Sequence, residues 1–365
     1  MIPVIEFVLG VAVLVYSAEK LIGYLVGVAS RWAISLFLIA VVFTGIEFDD
    51  LAFGVVLNME DLSDVALGTV IGTTIALTGI VLALAAIIAP TRVEVPRDYL
   101  ALYVAAPVVM FMLALGGLLT AGTGVVLILL FVAFVGWIAY REYSARRPVW
   151  RNAEVYEQLE KAGVAAGGST TATVAPSGPP RTDAAAGSPG FRLPEDLRVD
   201  DGFLKARAQP PGRTILFAVI ALIGLVVGAL IAGQGTEGIL ETWAISGTVF
   251  GVTIATLALS LEDILITVEP ARRGAPEIAV ANVLGSVVFS VTGKLGVILL
   301  VGGAIVVDPT ALVWHLPVLL GLTVLSAVFL GTGRIRRWHG VVLLALYVAY
   351  FVISLTVFGG VPVDD

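Results

Sequence analysis

Apolar positions in this chain do not alternate as they would in strands. They come in unbroken runs, each long enough to cross a bilayer. Ten such runs stand at 3–29, 34–57, 65–89, 98–119, 122–141, 213–233, 243–268, 277–303, 311–331 and 338–358. A hydrocarbon core about 30 Å thick takes about 20 apolar residues of helix. Each run therefore predicts one transmembrane helix. Barrel strands would be half as long and would alternate every second residue. Within lipid every backbone N–H and C=O must be satisfied inside its own segment, which helices do. The expected fold class is all-α, a polytopic membrane bundle of ten transmembrane helices. The first run has no basic stretch before it and no small-residue cleavage site after it, so it is expected to be a retained span.

Composition agrees: 58% of the 365 residues are hydrophobic, 13% are charged, and mean hydropathy is +1.01. The absence of cysteine excludes disulfides and thiolate metal sites. A net charge of −7 argues against nucleic acid as a partner. Basic residues crowd into alternate connections: Arg31, then Arg92 and Arg97, then Arg141, Arg146, Arg147 and Arg151, then Arg272 and Arg273, then Arg334, Arg336 and Arg337. The other connections carry Glu60, Asp61, Asp64, Glu237, Glu241 and Asp308. Basic loops stay on the cytoplasmic side. The expectation is a multi-pass plasma membrane protein with both termini outside. Trp32, Trp314 and Trp338 suit the interfacial aromatic belt. His315 and His339 are expected at the interface too, and Glu19 with Lys20 as a local pair.

The long connection 142–212 is rich in Ala, Gly, Pro, Ser and Thr and lacks the apolar content to fold. It is expected to be a disordered cytoplasmic linker between a five-span unit at 1–141 and another at 213–365. The two units are related. Asp49-Asp50 in span two corresponds to Glu262-Asp263 in span seven. Fourteen residues after Asp50 runs Asp64-Val65-Ala66-Leu67-Gly68-Thr69-Val70-Ile71-Gly72-Thr73, and fourteen after Asp263 runs Glu277-Ile278-Ala279-Val280-Ala281-Asn282-Val283-Leu284-Gly285-Ser286. The offset is 213 throughout. Five spans is an odd number, so the second unit enters the membrane inverted. Inverted repeats place a substrate site near the midplane, where the repeats meet.

These two segments resemble the alpha repeats of the sodium/calcium exchanger family, the cation/Ca²⁺ antiporters. The family pattern is Gly-Thr-Ser-x-Pro-Glu followed, fourteen residues on, by Asp-Ile-Ala-x-Gly-Asn-x-x-Gly-Ser-Asn. The resemblance implies a secondary cation antiporter that exchanges Ca²⁺ or a similar cation for Na⁺ or H⁺ by alternating access. It puts Asp50 and Asp263 at the two cation-binding carboxylate positions, and Thr73 and Ser286 at the hydroxyl positions. The chain departs from the pattern in several places. Asp49 and Glu262 replace the Pro. Gly-Thr-Ser reads Gly45-Ile46-Glu47 in one repeat and Ala258-Leu259-Ser260 in the other. Four residues past the hydroxyls stand Leu77 and Ser290, and Lys294 lies deep in span eight. Pro and Gly would open the helix and free carbonyls, so this opening is expected to be partly lost.

Ionised carboxylates in hydrocarbon are costly and usually face a bundle interior or a wet cavity. Glu47, Asp49, Asp50, Glu262 and Asp263 repel one another unless cations or protons neutralise them, which is the useful property of a cation carrier. Hard cations take six to eight oxygens. The candidate donors are these five acids, the hydroxyls of Thr44, Thr73, Ser260 and Ser286, and the amide of Asn282. Glu47 and Asp50, three residues apart, are expected to share a helix face. Asp49 and Glu262 are expected to line the access path, or one of them to exchange protons; the simpler expectation for Glu47 or Asp49 alone is that it reaches toward the interface. Lys294 is expected to act as an internal counter-charge or as a coupling group. Simpler roles stand beside these: Gly68, Gly72 and Gly285 allow helices to approach, and Thr73 and Ser286 can bond back to their own helix. No nucleotide-binding motif is evident. The expected partners are the lipid bilayer and inorganic cations; no cofactor, nucleotide or enzyme activity is expected. Two alternatives stay open: a degenerate relative that binds ions without transport, and an intramembrane aspartyl hydrolase in which Asp50 and Asp263 share a proton.

Overall fold

The computed structural model describes residues 2–29, 46–90, 92–145, 211–272 and 276–358. Thr44, most of the linker and the first half of predicted span two lie outside these residues. Helices occupy every predicted span that is described: α1 Ile2–Ala29, α2 Phe48–Met59, α3 Ser63–Ile88, α4 Arg97–Ala114 and α5 Ala121–Ala145. The second unit continues with α6 Pro211–Trp243. Next comes α7, built of Gly247–Phe250, Gly251–Ala255 and Thr256–Arg272, and α8, built of Pro276–Phe289, Ser290–Lys294 and Leu295–Val301. α9 Ala311–Gly331 and α10 Arg337–Val357 complete it. Among the described residues nine helices are long and apolar enough to cross a membrane. α2 is the described part of the remaining span.

The repeat persists in backbone detail. α3 is α-helical over Ser63–Ala76, forms a π-turn at Leu77–Val81, and resumes over Leu82–Ile88. Each boundary recurs 213 residues later, with the second π-turn at Ser290–Lys294. A π-turn accommodates one extra residue in the helical ladder and is frequent at functional sites. Here the second one ends on Lys294.

α3 and α8 are the most enclosed helices, with 83% and 89% of their best span windows buried, against 22% for α5. The others turn rows of exposed Leu, Val and Ile outward to lipid. Small residues allow the central helices to touch. α3 runs parallel to α7, with Gly68 against Thr248 and Gly251, and Gly72 against Val252 and Thr256. α1 and α6 pair antiparallel, with Gly235 on Phe7, Gly228 on Leu14 and Gly10 on Ala232. α2 runs parallel to α8: Gly54 abuts Ile298, and Asn58 donates to the carbonyls of Ile298 and Gly303, each at 3.2 Å. At that same end a two-stranded antiparallel pair, β1 Leu118–Leu119 with β2 Ile305–Val306, joins two loops. This end gathers the acidic connections. The opposite end gathers the basic ones, where Arg141 and Trp137 of α5 both donate to Asp98 of α4.

In the first repeat α2 starts at Phe48, with Ile46 and Glu47 outside the helix. Asp49 and Asp50 fill its first turn, where negative charge suits the positive end of the helix dipole. In the second repeat α7 continues through Glu262 and Asp263 without a break. The histidines near the starts of α9 and α10 pack against aromatic partners. His315 is fully buried with its Nδ1 2.8 Å from the Tyr350 hydroxyl, and His339 stacks on Phe329 at 4.2 Å. Glu19 and Lys20 do pair, at 3.4 Å.

Candidate functional site

The start of α2 is held against the middle of α8 by charge. Lys294, only 1% exposed, sends its side chain back along α8 toward α2 and α3. Its Nζ donates to Glu47 Oε2 at 2.8 Å, to Asp50 Oδ2 at 2.7 Å and to Thr73 Oγ1 at 3.0 Å. An ammonium has three protons, so every donor is used. Ser290, one turn before Lys294, donates to the same Glu47 oxygen at 2.8 Å. Glu47, Asp50, Thr73 and Ser290 are all buried. Two carboxylates around one ammonium leave one net negative charge at this point.

Glu47 and Asp50 do meet, by a route other than the shared helix face. Glu47 precedes the helix and Asp50 lies within its first turn, and Lys294 joins them. Thr73 makes the backward bond foreseen for it and also meets Lys294. Its hydroxyl donates to the Thr69 carbonyl at 2.9 Å and accepts from Lys294. Ser290 was the residue not named as a candidate. Its signal was present in the sequence, as a polar residue within an apolar run, four residues past Ser286 where the first repeat has Leu77.

The second repeat contributes a different half. Ser260 and Ser286 are at most 1% exposed, and neither hydroxyl has a hydrogen-bond partner. Ser286 does not make the backward bond that Thr73 makes. Glu262 Oε2 and Asn282 Oδ1 are also buried and unpartnered. Asn282 Nδ2 donates to Thr267 Oγ1 at 3.1 Å, tying α7 to α8. Moving one turn from each of these residues in antiparallel register brings Asp263 level with Ser286. Asp263 also lies within electrostatic range of Glu47, Asp50, Asp49 and Glu262. Asp49, 7% exposed, accepts from backbone N–H groups at the start of α2. Among the described residues no three acidic or histidine side chains converge tightly enough to grip a metal by themselves. The space between Glu47 and Asp50 holds the Lys294 ammonium.

The arrangement is a strongly acidic cluster where α2, α3, α7 and α8 meet, buried on the first-repeat side, where one lysine is built in. Comparisons with known proteins bear on the family and the fold. The profile of the sodium/calcium exchanger protein family matches residues 2–140 and 213–356. The sodium/calcium exchanger MaX1 of Methanosarcina acetivorans is 31% identical over 157 residues, covering 43% of this chain and 42% of that protein. The inner membrane protein YrbG of Escherichia coli is 24% identical over 293 residues, 79% of this chain and 77% of that one. The match to the first of these relatives thus spans about two fifths of its length. The solved structure of the sodium-calcium exchanger NCX_Mj, soaked with Na⁺ and Sr²⁺, has the same fold, with a TM-score of 0.57 at 20% identity over 96% of this chain and 99% of that one. With both halves matched by the family profile and the same helical membrane bundle, the chain belongs to the sodium/calcium exchanger protein family, a family of transporters and not of enzymes.

Proposed function

We propose that the protein is a secondary cation antiporter that carries Ca²⁺ or a similar cation against Na⁺ or H⁺, driven by an ion gradient. The observation that carries this reading is the cluster of acids from both repeats where α2, α3, α7 and α8 meet: Glu47, Asp49 and Asp50 are buried, and the half-buried Glu262 and Asp263 lie within their electrostatic range. Carboxylates enclosed among apolar helices are stable only when neutralised, so the chamber exchanges one neutralising ion for another. Asp50 and Asp263 supply charge at equivalent depth. Ser260 and Ser286 offer neutral oxygens, with Thr44 and Asn282 as further candidates. Thr73 and Glu47 anchor Lys294, while Asp49 and Glu262 extend the acidic lining. Inverted repeats then open the chamber to either side in turn. The protein is assigned to the cell membrane, with its termini outside and the 142–212 connection in the cytoplasm. Ca²⁺ uptake into proteoliposomes under a Na⁺ or pH gradient tests the reading, with Asp50→Asn and Asp263→Asn alongside. Uptake in the wild type and its loss in both variants is the expected result; full uptake in both variants would refute the assignment.

One observation favours a second reading. All three protons of Lys294 are committed to groups that would otherwise face a metal, as in a relative that binds ions without moving them. Cation-dependent thermal stabilisation with no flux under any gradient would select it.

A further inference from the structure

The two halves of the chamber are occupied differently. The repeat pairs Glu47 with Ser260, Asp50 with Asp263, and Thr73 with Ser286. On the first side all three residues bond a single ammonium. On the second side the equivalent of Lys294 is Val81, which brings no charge and no donor. There the Ser260 and Ser286 hydroxyls and one oxygen of Glu262 stay buried without partners. Such groups cost free energy unless something satisfies them, and acceptors beside a carboxylate suit a cation.

We propose that Lys294 is a tethered replacement for one transported cation. The mobile cation is then held by the second-repeat half, through Asp263 and the hydroxyls of Ser260 and Ser286. The proposal rests on the antiporter reading above. A lysine ammonium carries the charge of a monovalent ion, and its contacts at 2.7–3.0 Å supply the oxygens such an ion would otherwise find. It cannot leave, so each cycle binds one cation fewer than the same chamber without the lysine. The halves are close neighbours: Ser290, which shares Glu47 with Lys294, stands one helical turn from Ser286. An ion bound at Asp263 would therefore sense the fixed charge.

The charges make the proposal testable. Lys294 with Glu47 and Asp50 leaves one negative charge, Lys294→Gln leaves two, and Lys294→Gln with Glu47→Gln restores one. All three proteins go into proteoliposomes with the membrane voltage clamped. Ca²⁺ flux is measured against Na⁺, K⁺ and H⁺ concentration, and the reversal potential gives the charge moved per turnover. In Lys294→Gln, flux should require one more monovalent cation, read as a Hill coefficient higher by one than wild type. In the double variant that extra requirement should vanish. Unchanged cation dependence and reversal potential in Lys294→Gln would overturn the proposal and leave the antiporter reading intact. A wild type without flux under either gradient would overturn both. If Lys294→Gln does not fold, the double variant decides alone: wild-type coupling supports the proposal, while a folded protein without flux refutes it. A second arm uses Ser286→Ala, which should raise the Ca²⁺ concentration for half-maximal flux about tenfold, the equivalent of about 1.4 kcal/mol. No change there would remove the second-repeat half from the site.

Discussion

At the scale of single residues the site is governed by Lys294. Breaking a buried ion pair by removing one partner costs about 3–5 kcal/mol, because the remaining charge stays uncompensated. Lys294→Gln is therefore expected to lower the thermal midpoint in cation-free detergent by more than any other single change in the chamber. Ser290→Ala removes one donor from Glu47 and leaves Lys294 in place, so about 1.5–3 kcal/mol is expected, in keeping with a bond to a charged group. Added cation should restore much of the loss in Lys294→Gln, since an ion that binds only the folded state stabilises it by mass action, and little of the loss in Ser290→Ala. Equal midpoints for wild type and Lys294→Gln would mean that the ammonium is not paired as described. The acids, Thr73 and Lys294 itself were legible in the sequence, because charge inside an apolar run is conspicuous. Which oxygen each group would use was not legible, since that depends on the π-turn and on where α2 begins.

At the scale of elements the sequence was most informative about length and repetition. The apolar runs placed every described helix, and the 213-residue offset held to each boundary of α3 and α8. Two features escaped it. A π-turn leaves no mark in hydrophobic periodicity, because an apolar run is apolar at any pitch. The start of α2 at Phe48 coincides with tertiary contacts of Glu47 to Ser290 and Lys294 of α8. The close helix approaches at Gly68 and Gly72 were legible as small residues, and their partners in α7 only in three dimensions. They make a sharp prediction. A Cβ on Gly72 would stand 2.6 Å from the Val252 Cα, and backbone cannot swing aside as a side chain can. Gly72→Ala should destabilise by about 1–3 kcal/mol, the usual range for overpacking. Gly136 in α5 is the control: a Cβ there meets nothing within 4 Å, so Gly136→Ala should be neutral or gain up to about 1 kcal/mol of helix propensity. Thermal midpoints of the two variants in detergent measure the contrast. Equal effects would mean that α3 and α7 are not in contact at Gly72.

At the scale of the whole molecule the governing pattern is the separation of charge between two ends. Asn58, the β1–β2 pair and the contact of Glu60 with Gly233 place the acidic connections together. Glu60 itself is pushed above the ordinary carboxylate range, first by partial burial and then by the neighbouring Glu237. That crowding of acids is tolerable at a water-facing mouth. Arg141 with Asp98, and the turn at Arg334 near Glu94, mark the other end. Loops with excess Arg resist translocation, so the proposed orientation puts the basic end in the cytoplasm. The chain lacks cysteine, so single cysteines report sidedness without background. Glu241 and Arg334 are exposed at opposite ends. In intact cells Glu241→Cys should react with a membrane-impermeant maleimide, and Arg334→Cys should react only after permeabilisation. The reverse pattern would invert the bundle and turn the acidic mouth toward the cytoplasm.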